Sequence, residues 1–310
     1  MAEQLFYFLI YPGLIFAGIA GGLVSWMDRK VTARVQFRKG PPVLQPYYDF
    51  LKLLLVKETI IPKNASAILF LLAPVLALFG ATAASVVILS PALGISDGFR
   101  GDVIVLFYLL AIPSLIFVLG AMASGNPLSV VGASREIKLV LSYELTFLLI
   151  IAGIILKSNF SLEIDQIMLL QKTEGALIGS LSGILLFVAS IFCIQAKMGM
   201  VPFDQGEAET ELAEGTFIEF SGTTYALVKL TKYILHFILP FFIAEMFLGG
   251  LDFSGIHILW SILKILLIVV LMTLIRNTNP RLKISQAMRF FLIWMNLLVI
   301  LGLVIHYLGF

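Results

Sequence analysis

Eight apolar runs, each long enough to cross about 30 Å of hydrocarbon as a helix, divide this sequence at roughly 5–26, 65–90, 102–124, 136–156, 176–198, 220–247, 256–275 and 286–308. Inside a bilayer every backbone N–H and C=O must find a partner within the protein, so only helices and closed barrels span it. Barrel strands are about ten residues long and alternate in polarity, whereas these runs are continuous. The expected fold is therefore all-α: a polytopic membrane protein of about eight transmembrane helices, forming one integral membrane domain over residues 1–310. With 60% hydrophobic and 13% charged residues, the chain has too little polar surface to enclose its apolar side chains as a soluble domain.

The connections differ sharply in basic residues. Lys and Arg number eight in 27–64, two in 125–138, one in 197–219 and four in 276–289, against three in all the other connections together. The positive-inside rule makes these four segments cytoplasmic and leaves both termini outside. The first run follows Met-Ala-Glu-Gln without a basic flank and extends past twenty residues, which suits a retained span of a cell-membrane protein and not a cleaved signal. A net charge of +2 implies no nucleic-acid partner. Cys193 is the only cysteine, which excludes an internal disulfide or an iron–sulfur cluster held by this chain alone. His236, His257 and His306 lack ligand-like spacing, so the chain is expected to bind no metal or cofactor and to hold no catalytic residue of its own.

The cytoplasmic segment 197–219 concentrates the chemistry. Asp204, Glu207, Glu209, Glu211, Glu214 and Glu219 fall within sixteen residues that contain no Lys or Arg. Crowded carboxylates raise one another's pKa, which suits groups that exchange protons near neutral pH. If 207–214 is helical, Glu207, Glu211 and Glu214 share one face, an arrangement that needs cations, water or protonation to relieve it. A plain solvated acidic loop is the alternative. Calcium is disfavoured, because the ordered Asp-x-Asp-x-Asp-Gly ligand spacing is missing.

Two other segments add ionisable groups. The first connection carries Arg29, Arg34 and Arg38 ahead of Gly40-Pro41-Pro42, a helix-breaking turn, followed by an amphipathic stretch over 47–57. It can serve as an anchor for anionic lipid or as a docking platform for a protein partner. The third connection ends in Arg135-Glu136-Ile137-Lys138 and leads into Ser142-Tyr143-Glu144. Glu144 lies about two turns into the next span, where a carboxylate is costly unless it faces protein or water. Lys229 and Lys232 share a face of the sixth span. Glu245 and Lys264, nearer the outer boundary, are expected to snorkel.

Ala33-Arg34-Val35-Gln36 before Gly40-Pro41, Ser142-Tyr143-Glu144, and Glu207-Ala208-Glu209-x-Glu211-Leu212 after Pro202-Phe203-Asp204 together resemble one family over nearly the whole chain. It is the membrane subunit that joins the peripheral redox arm of complex I to its pumping arm, the NADH dehydrogenase subunit 1 family, and its homologue in energy-converting (group 4) membrane-bound [NiFe] hydrogenases. Gly206, where quinone-reducing members usually have proline, together with Arg135-Glu136-Ile137-Lys138, Glu214-Gly215 and Asn279-Pro280-Arg281-Leu282-Lys283, resembles the hydrogenase branch. The same membrane subunit occurs in ferredoxin-dependent sulfur-reducing complexes.

That resemblance implies a membrane anchor and coupling subunit for translocation of H⁺ or Na⁺. Ferredoxin would be the electron donor, and iron–sulfur clusters and a [NiFe] centre would reside in partner subunits. Those partners would be the large and small peripheral subunits, an iron–sulfur subunit, antiporter-like and small membrane subunits, and lipid. Asp204, Glu207, Glu209 and Glu211 would sense the redox module and Glu144 would pass the perturbation inward, with Glu214, Glu219, Lys229 and Lys232 along the path and Arg29, Arg34, Arg38 and Arg135 holding the partner. A secondary transporter would also bury carboxylates and lysines, but it usually shows internal repeats, and none is evident. A purely structural anchor would need neither Glu144 nor the acidic cluster.

Overall fold

A computed structural model describes residues 2–95 and 98–308, giving only the backbone of Ala2, Glu209 and Thr210. Every regular element among them is helical. In chain order these are α1 (Ala2–Leu9), α2 (Leu14–Val35), α3 (Gln45–Leu55), α4 (Ala67–Ala92), α5 (Asp102–Ala123), α6 (Pro127–Lys157), α7 (Ile164–Glu174), α8 (Leu181–Lys197), α9 (Glu209–Leu212), α10 (Gly222–Phe247), α11 (His257–Thr278), α12 (Ile284–Arg289) and α13 (Asn296–Tyr307). A π-helical segment, Phe290–Met295, joins α12 to α13 into one continuous rod.

Seven helical segments among the described residues are long and apolar enough to cross a membrane. The run expected at 176–198 forms only the 17 residues of α8, about 25 Å at 1.5 Å per residue, because Leu177–Gly179 form a separate 3₁₀ turn and the extended Ser180 caps α8. The first span is broken at Tyr11-Pro12-Gly13 between α1 and α2. The fourth begins nine residues earlier than its apolar run. Asn126 accepts the Leu128 N–H at 2.9 Å and Pro127 opens the helix, a favoured start in which a cap satisfies one of the first free amides and proline loses none it needs. Arg135 to Lys138 thus lie within α6 and not in a loop.

With no water to drive them together, membrane helices pack where small side chains let them approach. Ala73, Ala77, Ala81 and Ala84 make such a stripe on α4, all but fully buried, against α5. Near the centre runs α10, with 72% of its most apolar stretch buried against 28% for the last span. At the end opposite the basic loops, α7 packs Ile164, Ile167 and Met168 inward. Its Gln171 donates to the Glu245 carbonyl at 3.0 Å and accepts the Gly249 N–H at 3.0 Å. Glu245 does not snorkel. Its side chain is fully buried and accepts the Leu251 N–H at 3.0 Å, because the turn after α10 folds back over it. Lys264 likewise turns inward, onto the Gly250 carbonyl at 2.8 Å.

Candidate functional site

The acidic segment is pinned at both ends. Phe203, 1% exposed, inserts its ring among Phe192, Phe290 and Phe291 at centroid distances of 6.5, 5.4 and 4.8 Å. Gln205 donates to the carbonyls of Pro202 and Leu282, both at 3.0 Å. Farther along, Phe217 and Phe220 anchor the exit, with Phe220 stacked on Phe70 at 4.6 Å. The expected helix over 207–214 is confined to Glu209–Leu212. Ala213 and Glu214 then adopt left-handed backbone conformations (φ 48° and 70°), which turn the chain and separate carboxylates that one helix face would have aligned against their own repulsion.

Each carboxylate described on this segment, except Glu214, meets a side chain brought in from elsewhere. Asp204 pairs with Arg281 at 2.7 Å, Glu207 with Lys232 at 2.5 Å and Glu211 with Arg135 at 2.6 Å. Glu219 accepts from the Asn126 amide at 2.5 Å. Glu214 lines a cavity that also holds Lys229. The side chain of Glu209 lies outside the described residues. The cations missing from the local sequence are therefore supplied by α6, α10 and the segment before α12. Burial raises the pKa of Asp204 above the ordinary carboxylate range, opposed by the Arg281 charge beside it.

Deeper in the bundle, Glu144 on α6 accepts from the Lys197 ammonium at the end of α8. Lys197 is 2% exposed and Glu144 15%, and the ammonium also sits 4.6 Å from the Phe147 ring centre. One oxygen each of Glu144 and Asp204 is buried with no hydrogen-bond partner among the described residues, a costly state for a polar atom. A chamber of about 20 Å³ lies between the two ion pairs, lined by Glu136, Lys197, Glu207, Lys232 and His236. That volume suffices for about one water. A wider cavity of about 310 Å³ shares Glu207, Lys232 and His236 and adds Asp28, Arg29, Lys229 and Arg276. A groove of about 540 Å³ runs past Asp204, Glu211, Arg135 and Arg281.

Close backbone approach sets the loop against α6. A Cβ on Gly206 would stand 2.4 Å from Glu136 Oε2, and one on Gly132 would stand 2.8 Å from the Thr216 nitrogen. Glycine at 206 therefore makes room for a carboxylate at 136. Of the arginines assigned to docking, Arg29 pairs with Asp49 of α3 at 3.0 Å and Arg135 with Glu211, while Arg34 and Arg38 are exposed. Lys229 lies 5.2 Å from the Tyr225 ring centre.

A family model described as NADH dehydrogenase matches residues 8–307. The chain belongs to the NADH dehydrogenase family. This member is 33% identical over 305 residues to the H subunit of NADH-quinone oxidoreductase from Dehalococcoides mccartyi (strain CBDB1), covering 94% of this chain and 83% of that protein. It is 35% identical to the corresponding protein of Brevibacillus brevis (strain 47), covering 92% and 87%. Among solved structures it superposes on a chain of the membrane-bound sulfane sulfur reductase, an archaeal respiratory membrane complex, with a TM-score of 0.88 and 26% identity over 98% of this chain and 99% of that one. This NADH dehydrogenase-family protein is a multi-pass protein of the cell membrane. Among its described residues, no group of three or more His, Cys, Asp and Glu side chains is placed to hold a metal ion.

Several residues of this family member's polar core were not singled out from sequence. Lys197 ends an apolar run and read as its boundary. Asp28, which accepts from Arg276 at 2.6 Å and Thr273 at 2.9 Å, precedes five basic residues, Arg29, Lys30, Arg34, Arg38 and Lys39, of the first connection. Glu136 is one letter of a motif, and His236 lacks ligand-like spacing. A usable signal existed for Glu136: the Asn126-Pro127 helix start places it on α6 two turns before Glu144.

Proposed function

We propose that this subunit anchors a peripheral redox module and converts its turnover into movement of H⁺ or Na⁺, within a ferredoxin-dependent, hydrogen-evolving complex. The observation that carries the reading is the succession of ion pairs from the loop into the bundle. Asp204–Arg281 and Glu211–Arg135 border the outer groove, Glu207–Lys232 stands at the narrow chamber, and Glu144–Lys197 closes its inner side. A shift of the loop driven by a partner changes the field at Glu207 and, across the chamber, at Lys197 and Glu144. Coupling needs such a set of groups whose proton affinity depends on a neighbour's state. Iron–sulfur clusters and a [NiFe] centre would belong to the partner subunits.

Seven of the thirteen residues lining the wider cavity are charged, unlike the predominantly apolar lining of pockets that take small organic molecules. That lining and the Gly206–Glu136 contact favour a branch that does not reduce quinone. The likeness to the sulfane sulfur reductase chain supports a second reading, in which the same subunit serves a sulfur-reducing complex.

The test is purification of the intact complex in mild detergent, with assays for nickel, iron, bound quinone and H₂ evolution. Nickel with H₂ evolution supports the first reading; iron with sulfur reduction and no nickel supports the second; tightly bound quinone without nickel refutes both. For coupling itself, E144Q is expected to abolish ion movement in a complex that still assembles. Unchanged ion movement would leave a structural anchor.

A further inference from the structure

His236 lies at the meeting point of three voids: the narrow chamber, the wider cavity, and a third of about 10 Å³ lined by Asp28, Met198, Pro240 and Thr273. Its Nδ1 is 2.7 Å from the backbone oxygen of Lys232, one turn back on α10. A carbonyl oxygen only accepts, so Nδ1 carries a hydrogen and the neutral ring keeps its lone pair on Nε2. The hydrogen bond holds the ring in place with the nitrogen that can take up a proton left free. Pro240, four residues on, has no N–H to give to the His236 carbonyl, so the α10 ladder is interrupted at this residue.

Charged groups face these voids from every neighbouring element: Asp28 from α2, Glu136 from α6, Lys197 from α8, Glu207 from the acidic segment, Lys232 from α10 itself and Arg276 from α11. Glu207 and Lys232 occupy each other, Lys197 holds Glu144, and Asp28 is bound to Arg276. His236 is the group among them that borders all three voids and is not committed to an ion pair.

We propose that His236 is the exchange point between the wide cavity and the narrow chamber. Its Nε2 takes a proton from the wide side and releases that same proton to the narrow side. One proton is bound and one leaves at the same atom; Nδ1 keeps its hydrogen throughout, because a backbone carbonyl cannot carry a proton onward. This rests on the coupling function proposed above.

The experiment uses the intact complex in inverted membrane vesicles and reads ions moved per electron pair transferred, for wild type, E144Q, H236Q and H236A. An assembled H236Q complex, whose amide can still donate to the Lys232 carbonyl, is expected to move ions at least about tenfold less per turnover, a conservative figure for loss of a placed proton-transfer group. Imidazole added to H236A is expected to restore movement, and formamide, which hydrogen-bonds without titrating in this range, is not. Wild-type movement by H236Q overturns the proposal. So does an assembled H236A that imidazole fails to restore, or that formamide restores equally, since either result makes the ring a structural part only. If H236A does not assemble, H236Q decides alone. Loss of movement in E144Q with retention in H236Q removes the exchange point and leaves the coupling function standing; retention in both removes the coupling function as well.

Discussion

Replacing Lys197 by methionine tests whether the inner ion pair is a matched unit. Methionine fills the volume of the lysine stem but withdraws the one cation among the described residues that pairs with Glu144. The second oxygen of Glu144 already has no protein partner among the described residues, so the anion would lose the one charge that offsets it. With Lys197 only 2% exposed and Glu144 15%, solvent screens little. Breaking a buried pair from one side costs about 3–5 kcal/mol. E144Q alone strands the ammonium and is expected to cost a similar amount, reduced by the ring faces it lies against, 4.6 and 5.3 Å from their centres. The double variant K197M/E144Q removes both charges, and such replacements are often neutral, so it is expected to lie within about 1 kcal/mol of wild type. The thermodynamic cycle should then show a coupling of several kcal/mol, far above the ~0.5 kcal/mol scatter of independent sites. Thermal dissociation of the purified complex, followed by native electrophoresis, reads the order: both singles low, the double recovered. A double variant as unstable as its two singles combined would refute the reasoning and mean that the two residues act separately.

G206A should weaken attachment of the acidic segment by about 1–3 kcal/mol, the usual cost of overpacking, and G206A/E136A should recover most of it; hydrogen exchange over 203–217 reads both. Asp49 is raised by partial burial but lowered more by its hydrogen bonds to Arg29 and Gln45 and by the Arg29 charge, so its pKa lies below the ordinary value. Its contribution to holding α3 against α2 is then complete above the unfolded carboxylate pKa and is lost as pH falls through the lower folded value; exchange of α3 amides should rise only in that acid window, and D49N should abolish the step. Cys193 is fully buried and Phe37 fully exposed. A membrane-impermeant maleimide should therefore leave the native thiol unlabelled and label F37C from the cytoplasmic side alone; labelling from outside would reverse the assigned orientation.

The spans were legible because about twenty consecutive apolar residues have few physical alternatives, and Glu144 because a carboxylate inside such a run is costly without a partner. The partners were not legible. Arg281 lies 77 residues beyond Asp204, and Lys197 lies 53 beyond Glu144; no local pattern links them, because packing of distant helices decides which cation reaches which anion. The cations that relieve the acidic segment are equally invisible in its local sequence. Asp204, Glu207 and Glu211 crowd one stretch of sequence, yet they meet Arg281, Lys232 and Arg135 from separate parts of the chain. The start of α6 was missed because polar letters at 135–138 broke the hydropathy signal, although the Asn-Pro pair at 126–127 is a helix-start sign. Glu245 was misjudged because the chain returns over it through the turn at Gly249 to Leu251, which a one-dimensional boundary cannot show.

The three ion pairs of the acidic segment end on cations from three separate parts of the chain. Arg135 belongs to α6, Lys232 to α10, and Arg281 to the link between α11 and the final rod. A single push on one short stretch of backbone is thus delivered to three structural members at once, each through a different electrostatic tether. Under the coupling function proposed above, the segment would act as a whiffletree: one pull from above is shared among several loads below, and severing one tether redistributes the force without losing the connection. Loss of Glu211–Arg135, the pair with the most exposed carboxylate (61%), should accordingly grade the output, whereas loss of Glu144–Lys197, which lies below all three tethers, should interrupt it.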